Sequence, residues 1–537
     1  MVEKRLAIDL LDWTFWGLQG LVLVLAWRQG RRTAAAETRS LTWERCVIAI
    51  LVAWIWRLVY CFVLASSGFW YLVPDDVARW LLSWGWAISP YLITWDGIWQ
   101  GGTFYVHGAA MAVLRDPLVA SKFVSAFSNL LPLIGIFVVA QGLYRNAWLS
   151  SVAVVAAGPW WLHILLGTGA MTEMPVTGWM LTGIGLLFLA LDAETEERSS
   201  GAALLAAAFC FLAGTTYHIV AWMILVSFLL VFAPRLFSTP KPAVRRRLPL
   251  FLGISFAYCI AWSLGCWIKF GNPLSYLAAY NANNLKGGVS LPLAARSSAY
   301  PLAFLYDAWL VLPALAAGVI GAWSDRSETR GKERLVIGGV LVTLLLLTSS
   351  AIVGSPSNVL PVRATVAPVA ALFPIAVAGV AAAWPANRKP ARVRGAKRLS
   401  LVAVTVLGIA WVVVNHERTF QRVRSHHSLE PDAIAMGAWL REAGAQPDGT
   451  GRIRNDRIVH IWVETSPTYA DYSIQYLFGS LRRVVRHGSE EEAGQVLATL
   501  GRNDWLVTDR PVAQAGYEKV VEIGRYQVFG VKGEARR

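Results

Sequence analysis

Charge is scarce in this chain, and that scarcity excludes much of what a protein of its size can be. Asp, Glu, Lys and Arg make up 15% of the 537 residues, while 55% are hydrophobic. A soluble globular surface needs more polar cover, so the composition is that of a polytopic membrane protein. Cysteine is also sparse: Cys46, Cys61, Cys210, Cys259 and Cys266 all lie in or beside apolar segments, with neither metal-site spacing nor a placement suited to an external disulfide. The first apolar stretch, 6–27, carries Asp9 and Asp12 and continues into Arg28, Arg31 and Arg32 without a small-residue cleavage site, so it does not read as a signal peptide. It is either a first span or an interfacial helix. No internal repeat relates the two halves of the apolar region, which weighs against a repeat-built transporter.

What charge there is has a pattern. The net charge of +15 is spread over short basic runs between apolar segments, which marks topology rather than a nucleic-acid partner. Spans are expected at about 46–66, 119–143, 148–166, 175–191, two short ones within 201–232 divided at Gly214-Thr215-Thr216-Tyr217-His218, then 248–268, 302–323, 335–353, 364–384 and 399–415. That is 11 crossings, or 12 if 6–27 also crosses, with 22 Lys and Arg in the loops of one side against 6 on the other. The positive-inside rule puts the basic side in the cytoplasm and leaves loops 67–118, 167–173 and 269–301 external. From residue 417 to 537 the pattern changes to alternating helical and strand-like runs, a small external α/β domain after a membrane domain of residues 1–416.

The external loops hold the chemistry. Pro74-Asp75-Asp76 opens a helical pattern of Val77, Trp80, Leu81, Trp84 and Ile88, read as an interfacial helix with its Trp side chains at headgroup level. A second such helix is expected over 103–114. The aspartates are either ordinary helix-start residues, capping and complementing the dipole, or a general base beside a low-dielectric surface. Glu173, just before Pro175, poses the same choice and lies on the same side. Lys269, Arg296, Arg363 and His218 are candidates for holding an anionic head group, although Lys269 and Arg363 also suit snorkelling span ends. Tyr276, Tyr280 and His163 are candidates for substrate contact, the tyrosines suiting an aromatic belt equally well. His107 and His163 are isolated, and no metal cage is visible.

A span, an external acidic pair flanked by interfacial helices, a second external acid after Met171-Thr172, a Gly271-Asn272-Pro273 loop and a terminal α/β domain together resemble the GT-C superfamily. Within it the chain is similar to bacterial relatives of dolichyl-phosphate-mannose-protein mannosyltransferases and of the lipid A aminoarabinose transferase. The resemblance implies an inverting glycosyltransferase of the inner membrane that uses a polyprenyl-phosphate sugar and a lipid, glycan or protein acceptor at the external, periplasmic face. It makes Asp75 or Asp76 the base, Glu173 a second acidic residue, and Lys269, His218 and Arg363 looser assignments to the donor phosphate. A divalent cation, Mg or Mn, stays open. An oligosaccharide ligase with a pyrophosphate-linked donor, and a transporter or lipid-handling protein, are the rival readings.

Overall fold

The computed structural model describes residues 43–66, 74–88, 90–91, 99–114, 117–192, 195–276, 292–308, 315–316, 327–353, 361–383, most of 406–419 and 431–444, and then 446–447, 453–454, 459–462, 484–486, 504–509 and 516–531. The expectations for 6–27, for Tyr280 and for helices late in the α/β domain lie outside these residues.

In chain order, α1 (Trp43–Ser66) precedes α2 (Pro74–Ile88), α3 (Gly101–Leu114) and α4 (Pro117–Ser128). Then come α5 (Leu130–Tyr144), α6 (Ala147–Ala157), α7 (Trp161–Leu166), α8 (Glu173–Leu191), α9 (Glu197–Thr215), α10 (Ile219–Ser238) and α11 (Pro242–Phe270). Further apolar helices among the described residues are α12 (Leu293–Ala308), α13 (Glu328–Val353) and α14 (Val362–Ala383). Eight helical stretches among the described residues are long and apolar enough to cross a membrane, and the chain is a multi-pass membrane protein.

The expected span 119–143 is present as one crossing, Val119–Tyr144: Pro132 has no N–H to return to the Ser128 carbonyl, but Asn129, between α4 and α5, keeps right-handed helical backbone and its N–H reaches Ser125 O at 3.1 Å. The stretch 148–166 is not one helix: Gly158-Pro159 ends α6 and a short α7 follows. Arg57, fully buried on α1, takes the carbonyls that this break leaves open, with Nη2 donating to Ala157 O at 2.8 Å and Nε to Gly158 O at 3.2 Å. The division of 201–232 is present, α9 ending at Thr215 and α10 starting at Ile219.

Glycines let α5 and α8 meet backbone to backbone. A Cβ at Gly185 would lie 2.5 Å from the Val138 carbonyl carbon, and one at Gly142 would lie 2.7 Å from Gly185 O. Small residues at such crossings are how helices pack where burial from water gives no drive. This crossing sets the position of α8, and therefore of Glu173 at its start.

The helix after Pro74 was expected at headgroup level. Its Trp80 is instead fully buried, with the Lys122 ammonium 5.2 Å from the ring centroid, so α2 packs into the protein. The start of α3 is fastened to the spans by Gly102 N–H to Thr216 O at 2.8 Å and Gly101 N–H to the Tyr258 hydroxyl at 2.9 Å.

Toward the C-terminus, α15 (Pro431–Gly444) covers a five-stranded sheet. After a small hairpin of β1 (Gln446–Pro447) and β2 (Ile453–Arg454) come β3 (Val459–Trp462), β4 (Val484–Arg486), β5 (Trp505–Thr508), β6 (Tyr517–Ile523) and β7 (Tyr526–Val531). The order β4-β3-β5-β7-β6 is parallel across the first three strands and antiparallel across the last three. Met436 and Leu440 of α15 pack on Val459, Ile461, Val507 and Val528. Gly524, at φ +55° in the two-residue β6–β7 turn, adopts the left-handed backbone that such hairpins demand.

Candidate active site

Four helices begin at one place. Asp75 is the second residue of α2, Glu173 the first of α8, His218 the N-cap of α10 and Arg363 the second of α14. All four line a cavity of about 90 Å³, closed further by Thr172, Thr177 and Tyr300 and floored by small apolar residues such as Ala364 and Ala367. Helix starts present unpaired N–H groups and a partial positive charge, so their convergence favours anions. Two anions, the carboxylates, are already there.

One guanidinium joins them. Arg363 Nε donates to Glu173 Oε1 at 2.7 Å, and its Nη1 donates to Asp75 Oδ2 at 3.0 Å. The Arg363 and Glu173 side chains are about nine-tenths buried, whereas Asp75 keeps 33% of its side chain exposed. Burial raises the Asp75 pKa, but the positive charges of Arg363 and Arg79 outweigh it and hold the carboxyl below the usual aspartate range. Asp75 is therefore ionised, reachable and paired.

His218 is set differently. Its Nδ1 accepts the Val220 N–H at 3.2 Å, so the ring proton sits on Nε2. Burial lowers its pKa to about 4 against the pull of Glu173, and it lines the cavity as a neutral N–H donor.

Asp76 faces elsewhere. It is fully buried, with Oδ1 2.3 Å from where a Cβ on Gly169 would stand. That glycine lies in the loop leading to Glu173, and α4 and the residue after it hold this loop by its carbonyls. Lys122 donates to Thr168 O, Ser125 Oγ to Gly169 O at 2.7 Å, and Asn129 Nδ2 to Gly167 O at 2.9 Å. From α2, Arg79 Nη1 lies 3.3 Å from Met171 Sδ, with its guanidinium 5.1 Å from the Trp99 ring.

The other sequence candidates lie away from the cavity lining. Lys269 is exposed in the last turn of α11, over the Phe270 ring. Arg296 donates to Ile352 O at 3.2 Å, one turn before Tyr300 on α12. Tyr276 is buried edge-on against Trp222, their centroids 5.5 Å apart. His163 is buried against Trp160 and bonded to Arg57 Nη2 at 2.7 Å. Sequence reasoning missed Arg79 and Lys122 as supports, and Tyr300 as a wall. Arg79 had a signal, since it follows Asp75 by four residues and so shares its helix face.

No protein-family model matches the sequence, and no curated protein does. Solved structures do. ArnT from Cupriavidus metallidurans bound to undecaprenyl phosphate aligns over 92% of this chain and 99% of its own, with a TM-score of 0.62 and 12% identity. The archaeal oligosaccharyltransferase AglB from Archaeoglobus fulgidus, in complex with an inhibitory peptide and a dolichol-phosphate, aligns over 87% of this chain and 70% of its own, with a TM-score of 0.51 and 12% identity. Both are GT-C membrane glycosyltransferases.

The chain has the GT-C fold. At these identities the likeness is one of architecture, and activity has to be argued from the site. Among the described residues, no group of three or more His, Cys, Asp or Glu is placed to hold a metal. Asp75 and Glu173 converge on a guanidinium, so the donor set as it stands does not fit a resident cation. A complex of the Archaeoglobus fulgidus oligosaccharyltransferase contains Zn and sulfate, which is a fact about that protein.

Proposed function

We propose that this protein is an inverting glycosyltransferase that moves a sugar from a polyprenyl-phosphate donor to a lipid, glycan or protein acceptor. The observation that carries the reading is the cavity where four helix starts meet and Arg363 bridges Asp75 and Glu173. It combines an anion-favouring wall, a cation and an exposed carboxylate within one small volume. Phosphate recognition and proton abstraction need those same parts.

Asp75, not Asp76, is the base in this account, because it lines the cavity while Asp76 is sealed against Gly169. The acceptor O–H or N–H gives its proton to Asp75 and attacks the anomeric carbon from the face opposite the phosphate. The bond from that carbon to the phosphate oxygen breaks, and its electron pair leaves with the lipid phosphate. Arg363, the helix starts and the His218 N–H stabilise the charge that develops there. Glu173 anchors Arg363. No step requires a metal.

ArnT was solved with undecaprenyl phosphate and AglB with a dolichol-phosphate, which supports a lipid-phosphate donor for a chain of this fold. The asymmetry of loop charges supports an external, periplasmic position in the inner membrane for the cavity and for the α/β domain of residues 417–537, which we assign to shaping acceptor access.

The test is consumption of donors by the protein in nanodiscs, using radiolabelled polyprenyl-phosphate monosaccharides beside pyrophosphate-linked oligosaccharides. Consumption of a monophosphate-linked sugar supports the reading. Consumption of the pyrophosphate-linked glycan alone makes the protein a ligase, and consumption of neither removes the transferase.

A further inference from the structure

We infer that Arg363 is shared between the base and the leaving group, so that the donor phosphate competes with the Asp75 carboxylate for the guanidinium and frees Asp75 as it binds. This rests on the transferase reading above.

The two carboxylates hold Arg363 unequally. Glu173 is about nine-tenths buried and takes the Nε hydrogen at 2.7 Å, while Asp75 is 33% exposed and takes an Nη1 hydrogen at 3.0 Å. Glu173 is the anchor. Asp75, the more exposed of the two carboxylates, is the partner that can be exchanged. Among the described residues, Arg79, another cation near both carboxylates, is directed to Met171 and Trp99, His218 is neutral, and Arg363 is the cation lining the cavity, from α14.

Charge balance gives the exchange a purpose. A polyprenyl-phosphate sugar is a phosphodiester with one negative charge, and loss of the sugar leaves a monoester carrying up to two. Over the same step Asp75 goes from one negative charge to none as it takes the acceptor proton. The two changes are equal and opposite. A single guanidinium between them can follow the charge from carboxylate to phosphate while its other side stays on Glu173. A carboxylate still bonded to Arg363 is a poor base, so the exchange also delays proton abstraction until a donor is in place.

The test is equilibrium binding of farnesyl phosphate to the purified full chain in detergent, comparing wild type with Asp75→Asn and Glu173→Gln. Both substitutions remove one negative charge beside Arg363, so electrostatics alone tightens binding equally in both. The inference expects asymmetry. Asp75→Asn, which removes the competitor, binds about tenfold more tightly, in the range usual for coupled sites, whereas Glu173→Gln, which loosens the anchor, binds no better than wild type. On the unmutated protein, farnesyl phosphate is expected to increase carbodiimide labelling of Asp75, a readout that needs no variant to fold. Equal tightening in both variants together with unchanged labelling overturns the sharing of Arg363 and leaves the transferase standing. No binding to any of the three proteins overturns both.

Discussion

Arg363 Nε donates to Glu173 Oε1 at 2.7 Å, a contact that crosses 190 residues of sequence and ties the start of α14 to the start of α8. Both side chains are about nine-tenths buried, so the pair sits where a lone charge is expensive. Replacing Arg363 by Met should strand Glu173, and removing one partner of a buried pair costs on the order of 3–5 kcal/mol. The expected result is a clear drop in thermal stability and loss of transfer. Arg363→Lys should recover part of the stability but less of the rate, because an ammonium does not offer the planar fork of donors. Differential scanning fluorimetry alongside the transfer assay checks both.

Gly169 tests the support beneath the site. A Cβ there would fall 2.3 Å from Asp76 Oδ1, inside a loop held by Lys122, Ser125 and Asn129. Gly169→Ala has to shift either Asp76 or the loop leading to Glu173. We expect turnover to fall by about 100-fold, the scale of a displacement near 1 Å at a reacting centre, with smaller losses for Ser125→Ala. A Gly169→Ala protein with wild-type turnover would mean that the loop does not set the site.

The histidines give the protein an acid limit. Burial lowers the pKa of His218 to about 4 and that of His107 to about 3, both below the 6.5 of a free side chain. The unfolded chain therefore binds protons that the folded chain does not as pH falls below 6.5, and stability declines from there toward pH 4. His218 alone contributes on the order of 3 kcal/mol over that window. Asp75 acts lower: its carboxyl is held below its ordinary 3.8, so its contribution is intact above that value and is lost only as pH falls through the lowered pKa. Apparent melting temperatures from pH 7 to pH 4 should fall, and should fall less in His218→Asn, which keeps an acceptor for the Val220 N–H.

Much of this site was legible as sidedness. Spans counted from apolar runs put Asp75, Glu173, His218 and Arg363 on one side, and the structure brings those four around a single cavity. Which aspartate lines it was not legible, because neighbouring helix residues point about 100° apart, and only the packing of α2 settles which one turns inward. The burial of Trp80 went unread for the same reason: a periodic Trp pattern suits a membrane interface and a protein interior alike. His163 looked available because its partner Arg57 comes from a different span, and Arg57 itself found its role only at the Gly158-Pro159 break. Where the α/β domain is described, α15 (Pro431–Gly444), β5 (Trp505–Thr508) and β7 (Tyr526–Val531) fall on helical and strand-like apolar runs of the sequence, with β5 buried along its whole length.

The assignment of the base is the claim most open to one direct measurement: transfer from a polyprenyl-phosphate sugar by Asp75→Asn and Asp76→Asn beside wild type, with donor binding measured on the same preparations. Asp75→Asn should bind donor and lose transfer by about 100- to 10,000-fold, the range of a missing general base, while Asp76→Asn keeps a larger share of the activity. Full transfer by Asp75→Asn would contradict the account.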